Sequence, residues 1–235
     1  MQIGQKIIRL DSVDSTNNYI ANLIKADGLV SGSVIMADEQ FAGKGQRGAE
    51  WTAQPGENLT FSFFIDAVNL SVENQFVLTQ LVSVALIDLL AKLNVHAEIK
   101  WPNDIYVNSK KIAGVLIENQ LSGSFVKSTI IGIGLNVNQE NFGDLNATSI
   151  HLETSKRNVP MEALFSFIEC FNSIQIGEVE NRYLSNLYQK QVNRKYKDVG
   201  GEFFGEIQGV NKYGKLVLLR GNRLQEYDLK EIEFL

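Results

Sequence analysis

The chain holds one cysteine, Cys170, two histidines, His96 and His151, and three prolines in 235 residues. A single cysteine cannot close an internal disulfide, and with two histidines it leaves too few soft ligands for a structural zinc site. Nor does the sequence offer a convincing Ser-His-Asp or Cys-His arrangement, so a protein nucleophile is not expected. His96 and His151 read as ordinary residues, and Cys170, on an apolar helical face, reads as core. No window approaches the roughly 18 apolar residues that span a bilayer, and the first residues, MQIGQKIIRLDSVDS, hold no signal-peptide apolar run. We therefore expect a cytoplasmic protein with no membrane partner. Net basic charge is also missing. At −5 the chain lacks the positive face by which a general nucleic-acid binder displaces phosphate counterions. Repeats, low-complexity tracts and blocks of five or more like charges are absent.

What is present is an ordinary globular composition, 44% hydrophobic and 21% charged, long enough for one substantial core and a smaller appendage. Apolar residues Tyr19, Ile20, Leu23 and Ile24 recur at helical spacing, predicting a helix over 16–25 capped by Asp14 or Ser15 and stopped at Gly28. A buried strand over 33–37 follows, delivering Asp38, Glu39 and Gln40 to its end. Residues 59–65 read as a strand, and Ser71 as the cap of a long apolar helix to about Leu93. Four further strands are expected at 97–100, 105–107, 112–119 and 126–133, then a helix starting near Pro160 and another over 179–191. From about Lys195 the texture changes to short alternating runs at 203–210, 215–219 and 225–229, predicting a small β module. The expected division is 1–194 and 195–235.

Four segments invite a chemical reading. Gly43-Lys44-Gly45-Gln46-Arg47-Gly48 combines glycines, which let backbone amides approach an anion, with two cations. It reads either as a phosphate cradle or as a mobile surface loop. It is neither a Walker A loop nor the dinucleotide fingerprint, because no GK[ST] follows and the third glycine is misplaced. Lys100-Trp101-Pro102-Asn103-Asp104 ends a strand with a cation, an indole, a rigid turn, an amide and a carboxylate; the alternative is a surface turn whose Asn and Asp bond their own backbone. Lys110 and Lys111 precede the buried run from Ile112. Both lysines can be solvated, or the one adjoining Ile112 can sit at the mouth of the core and meet a ligand anion. Gly132-Ile133-Gly134-Leu135-Asn136 is a strand whose glycines permit close approach, or one closing in a bulge.

Taken in order, DSTN (14–17), DEQ with AGKGQRGAEW (38–51), KWPND (100–104), KKIAGVLIE (110–118) and GIGLNV (132–137) resemble the biotin protein ligase family. ATS (147–149) and the C-terminal β segment extend the resemblance along the whole chain. It implies an α+β fold: a mixed-sheet catalytic domain akin to class II aminoacyl-tRNA synthetases and lipoate ligases, then a small SH3-like barrel. It also implies Ser15, Thr16, Asn17 and Gln40 in the biotin pocket, Lys111 near the biotin carboxylate and the phosphate, and Gly114, Gly132 and Gly134 against the ligand. The loop of Gly43, Lys44, Gly45, Gln46, Arg47 and Gly48 would fold over biotin and the adenylate phosphate, with Trp51 helping to close it. Asn103 and Asp104 would lie near the reacting phosphate and Mg²⁺, Asp104 as metal ligand, and Asn136 would contact the nucleotide. Lys111, Asp104 and Arg47 are the implied catalytic residues.

The implied reaction uses biotin and ATP to form biotinyl-5'-AMP and then modifies a lysine of a biotin carrier domain. Transfer of lipoate or octanoate is the alternative from the same superfamily. Many relatives carry an N-terminal DNA-binding domain; with DSTN beginning at residue 14 no DNA binding is expected here, and monomer and homodimer both remain open. The chain departs from the family's GRGRxG at one point, with Gln46 where a second arginine is usual. Looser retention of the adenylate is expected from that change.

Overall fold

The computed structural model describes residues 1–26 and 28–235, and the side chains of Arg47 and Asn69 lie outside the described set. Its first 135 residues build one mixed sheet from β1 (Ile7–Val13), β2 (Val34–Gln40), β3 (Leu59–Ser71), β4 (Glu98–Lys100), β5 (Asp104–Val107), β6 (Lys110–Ser122) and β7 (Phe125–Leu135). The strand order is β1-β2-β3-β7-β6-β5-β4. β1 runs parallel to β2 and every other neighbouring pair is antiparallel.

Period-two alternation sends successive side chains to opposite faces. On β2 and β3, Val34, Met36, Phe61, Phe63 and Ile65 enter the main core, whereas Ile35 and Phe64 pack with Ile20 of α1 (Thr16–Lys25) on the other face. On that second face β3 also carries Thr60 and Ser62, both buried, so the sheet is polar where the start of α1 crosses it. The main face is covered by α2 (Phe76–Lys92), α4 (Pro160–Ser173) and α5 (Ile176–Ser185), with the short α3 (Ile150–Thr154) preceding α4. Phe61 and Phe167 meet edge-on at 5.2 Å, an aromatic geometry that contributes about 0.5–1.5 kcal/mol beyond the area it buries.

Three sequence expectations need correcting. The helix expected from Ser71 begins at Phe76. Ser71 is extended at ψ 147 and pairs with Phe125 as the last residue of β3, and a 3-10 turn, Val72–Asn74, intervenes. One stretch, Val72–Lys92, is long and apolar enough to span a membrane, with mean hydropathy 1.5. Its physical reason is packing: α2 lies between the sheet and α4 and α5, and is therefore apolar on nearly every side, as a core helix must be. Finally, α5 spans Ile176–Ser185 rather than 179–191. It stops where Leu187 bridges Ile99 and Tyr188 N–H donates to the Ile99 carbonyl.

The remaining strands, β8 (Asn193–Asp198), β9 (Gly201–Val210), β10 (Leu216–Arg220), β11 (Arg223–Tyr227) and β12 (Glu233–Phe234), form an antiparallel sheet of order β11-β10-β9-β8-β12. Tyr196, Phe203, Ile207, Leu216, Leu218 and Tyr227 fill its interior. The expected short runs correspond to β9, β10 and β11; β1, β8 and β12 were not anticipated. Trp101 Nε1 donates to the Gly214 carbonyl at 2.8 Å, tying this sheet to the end of β4.

Candidate functional site

A cavity of about 280 Å³ opens where the N-terminus of α1, the end of β2 and the glycine-bearing parts of β6 and β7 converge. Its inner wall is polar. Ser15, Thr16 and Asn17 are each no more than 3% exposed. Ser15 occupies the N-cap position but makes no side-chain capping bond. Instead Gln40, reaching across from β2, accepts from Thr16 N–H at 2.7 Å and caps the helix from outside. Thr16 Oγ1 lies 3.0 Å from the same Gln40 oxygen and 2.6 Å from Ser62 Oγ.

Apolar residues and glycines make the opposite wall. Gly114 and Gly134 are register partners on β6 and β7, and the Trp51 indole lies over both. A methyl group at Gly134 would overlap the indole ring and one at Gly114 would crowd it, so the absence of side chains on two adjacent strands creates the slot. Gly132 performs the same service for Asn17, whose Oδ1 fills the space a Cβ would take. Trp51 Nε1 is buried and has no hydrogen-bond partner among the described residues. A buried N–H left unpaired costs about 1–3 kcal/mol, so this donor favours an acceptor arriving in the cavity.

Lys111 Nζ stands 2.7 Å from Asp104 Oδ1, both side chains about one-third exposed, and 5.8 Å from the centre of the Trp51 ring. Lys110, one residue earlier, is exposed. A register shift between Ile105 and Tyr106 gives β5 its irregular pairing with β6, in which Asp104 faces Gly114 and Tyr106 faces Lys111. Asn103 is fixed from β6: its side-chain amide donates to the Val115 carbonyl, and its own carbonyl accepts from Val115 N–H at 3.1 Å.

The glycine loop folds back as a small closed turn. Gly45 N–H donates to Ala49 O, Ala49 N–H to Gln46 O and Trp51 N–H to Gly43 O, so these three amides are taken up within the loop rather than aimed at an anion. Lys44, Gly45 and Gln46 line the cavity, Gly43 is buried behind them, and Gly48 is exposed at φ +84°. Lys44 Nζ contacts Asn18 Oδ1 at 2.5 Å, and the Asn18 amide donates to Asp14 at 2.6 Å. That amide, aided by Lys44, holds the Asp14 carboxyl below its usual range against the opposing effect of burial. The implied role of Arg47 falls on a side chain outside the described residues.

One expected site residue is set back. Asn136 is buried, but its amide donates to the Thr148 carbonyl at 3.0 Å, stapling 147–149 to β6 and β7, and it does not line the cavity. Conversely, Phe61, Pro102, Val115, Ile133, Ala49 and Glu50 line it without having been anticipated. Ser62 was legible in principle, as a polar residue amid the apolar run LTFSFF. No group of three or more His, Cys, Asp or Glu suited to a metal occurs among the described residues.

Residues 10–136 match the model of the biotin/lipoate A/B protein ligase family. Across 230 residues the chain is 29% identical to the bifunctional ligase/repressor BirA of Bacillus spizizenii, covering 92% of this chain and 70% of that protein. Over 134 residues it is 36% identical to the biotin–[acetyl-CoA-carboxylase] ligase of Paracoccus denitrificans, covering 54% of this chain and 53% of that one. The solved biotin protein ligase of Aquifex aeolicus in complex with biotin and ATP superposes with a TM-score of 0.76 at 28% identity, over 98% of both chains.

Proposed function

Because the chain belongs to the biotin/lipoate A/B protein ligase family, we propose that it is a biotin protein ligase, activating biotin with ATP and transferring it to a lysine of a biotin carrier domain. The observation that carries the reading is the polarity of the cavity: buried Ser15, Thr16, Asn17 and Gln40 at one end, the Lys111–Asp104 pair at the other, and a glycine-walled slot between. Such an end suits a urea ring, which offers N–H donors and a carbonyl. A dithiolane or an alkyl tail would leave those polar groups unpaired at about 1–3 kcal/mol each, which disfavours lipoate and octanoate.

A carboxylate resists attack because its leaving group would be oxide, so it must first be activated. In the first step a biotin carboxylate oxygen attacks the α-phosphorus of ATP, and the bond to pyrophosphate breaks with its electron pair. Lys111 would face the charge that builds on the phosphoryl oxygens, and Lys44 would add to it from the loop. In the second step the acceptor lysine amine attacks the acyl carbon and AMP departs. The amine must shed a proton; Asp104 and Glu50 are the carboxylates that line the cavity, and Asp104 is the one paired with Lys111. Mg²⁺ fits this donor set in the usual manner, one carboxylate plus substrate phosphates. Asp104 would hold it, and when bound it would neutralise phosphate charge.

We read β8 to β12, beginning at Asn193 and so two residues before the expected boundary, as an SH3-like barrel appended to a catalytic unit; five short antiparallel strands around one small core support this. The acidic balance favours a ligase without DNA binding, and the unpaired, buried Cys170 suits the cytoplasm. Incubating the purified chain with ATP, Mg²⁺, a carrier domain and either biotin or lipoate, then weighing the carrier, tests the function. A mass gain with biotin alone is expected. A gain with lipoate alone, or none with either, overturns it.

A further inference from the structure

Behind the cavity a continuous line of polar contacts runs from the surface to Gln40. Asn17 Nδ2 donates to Glu118 Oε2 at 2.6 Å; Ser62 Oγ lies 2.5 Å from Asn17 Oδ1; Thr16 Oγ1 lies 2.6 Å from Ser62 Oγ and 3.0 Å from Gln40 Oε1. Glu118 is exposed, whereas Asn17 and Thr16 are 3% exposed and Ser62 fully buried.

The proton inventory makes this chain directional. A carboxylate can only accept, so Glu118 requires the NH₂ side of the Asn17 amide and turns the amide oxygen toward Ser62. Between Asn17 Oδ1 and Gln40 Oε1 there are then three oxygen–oxygen contacts and two hydroxyl protons to fill them, those of Ser62 and Thr16. The two short contacts need protons, which assigns Ser62 O–H to Asn17 and Thr16 O–H to Ser62. The longest contact, between Thr16 and Gln40, is the one left without a proton. Two oxygens with free lone pairs thus sit side by side on the cavity wall, a paired acceptor matched to a ligand N–H.

On the premise that the chain is a biotin ligase, we propose that Glu118 and Ser62 are positioning residues. Acting through Asn17, they set the polarity of the Thr16 hydroxyl so that the pocket selects a head group carrying an N–H donor, the cyclic urea class. Neither residue touches the ligand or the reacting atoms.

The consequence is that the effect of substituting Glu118 follows hydrogen-bond polarity rather than size. Aspartate still accepts from Asn17 and preserves the chain. Glutamine can accept or donate and leaves Asn17 free to flip. Lysine donates to the Asn17 oxygen, which turns the amide over and drives Ser62 and Thr16 to donate toward Gln40, removing the acceptor pair. Ser62→Ala releases the Thr16 proton to Gln40 with the same result.

Calorimetric titration of biotin and desthiobiotin into the full chain, with KM for ATP and the melting temperature measured alongside, tests the chain. Affinity should fall in the order wild type and Glu118→Asp, then Glu118→Gln, then Glu118→Lys, the last and Ser62→Ala losing roughly tenfold to a hundredfold. Biotin and desthiobiotin should lose equally, since both keep the urea, and KM for ATP should stay in place. Because Glu118 is exposed, its series reports even if Ser62→Ala folds poorly. A flat series, one ranked by side-chain volume, or a parallel rise in KM for ATP overturns the inference while biotin binding by the wild-type chain stands. Failure of the wild-type chain to bind biotin overturns the ligase reading itself.

Discussion

Lys111 on β6 reaches diagonally to Asp104 on β5, ammonium to carboxylate at 2.7 Å, at the cavity wall rather than in the core. With both side chains about one-third exposed, solvent screens the pair, and its contribution to stability is at most about 1 kcal/mol. Its placement is therefore better explained by ligand charge than by folding.

It follows that Lys111→Met should fold with a melting temperature within a few degrees of wild type yet lose about a hundredfold to a thousandfold in adenylation, the usual cost of deleting a donor that faces developing charge. Biotin-dependent exchange of pyrophosphate into ATP measures that step alone. Wild-type exchange in the variant would remove Lys111 from the chemistry.

Asp104→Asn separates the half-reactions. If the carboxylate helps the acceptor amine lose its proton, transfer from preformed adenylate to the carrier should slow at least about tenfold more than adenylation does. Single-turnover transfer across pH 6–9 provides the reading; equal slowing of both steps would assign Asp104 to phosphate or metal binding only.

Much of this architecture was legible in the chain and some was not, for physical reasons. Strong periodicity predicted α1, α4 and the strands from β2 to β7, because burying one face or both demands apolar residues at fixed spacing. β1, with Arg9, Asp11 and Ser12 among its seven residues, lies at a sheet edge where half its side chains stay wet, and so it carried no such signal. Ser71 looked like a helix cap because serine's local preference cannot report that β3 runs on to pair with Phe125. At the site, ordered motifs located Thr16, Gln40, Lys111 and the glycines. Nothing local reveals that Glu118 meets Asn17 across 101 positions, or that Asn136 is turned away toward Thr148. Those are facts of register.

Gly134→Ala should act on the ligand slot and not on the fold. The three atoms nearest the added methyl all belong to the Trp51 indole, each within 2.7 Å, so the indole must move. Biotin affinity should drop at least about tenfold with the melting temperature almost unchanged, and tryptophan emission should shift to the red as Trp51 becomes wetter. Unshifted emission together with intact binding would mean the slot is wider than its geometry implies.

Tyr196 sets an alkaline limit. Its hydroxyl is buried without a partner among the described residues, and burial raises its pKa from 10.0 to about 12. In the unfolded chain it ionises near 10, so between about pH 10 and 12 the folded state holds the proton that the unfolded state has lost. Stability is therefore complete below pH 10 and declines as pH rises through that window. Tyr196→Phe should flatten the decline and, by deleting an unpaired polar atom, leave stability at pH 7 unchanged or raised by up to about 1 kcal/mol. Urea melts at pH 7 and pH 11 give both numbers; a loss at pH 7 would reveal a partner for the hydroxyl.

The glycine loop offers a direct view of ligand closure, because its two cations, Lys44 and Arg47, are tryptic sites. Lys44 is exposed, its side chain contacts Asn18 and its backbone bridges Glu50, and the loop's internal bonds are few: three amides close it, while Gly48 has open space where a side chain would go. Such a segment opens easily, and protease sensitivity follows the population of the open form. If the loop folds over biotin and the adenylate phosphate, both cations become ligand contacts and opening must first break them. Limited trypsinolysis should then cut after Lys44 and Arg47 in the free protein, slowing about tenfold with biotin and further with biotin and ATP together. Gln46→Arg, which restores the cation usual at that position, should deepen protection by the adenylate while adding a cleavage site to the unliganded loop. Cleavage rates indifferent to both ligands would show that the loop stays open during the reaction, and the anhydride would have to be protected from water by Trp51 and the slot alone.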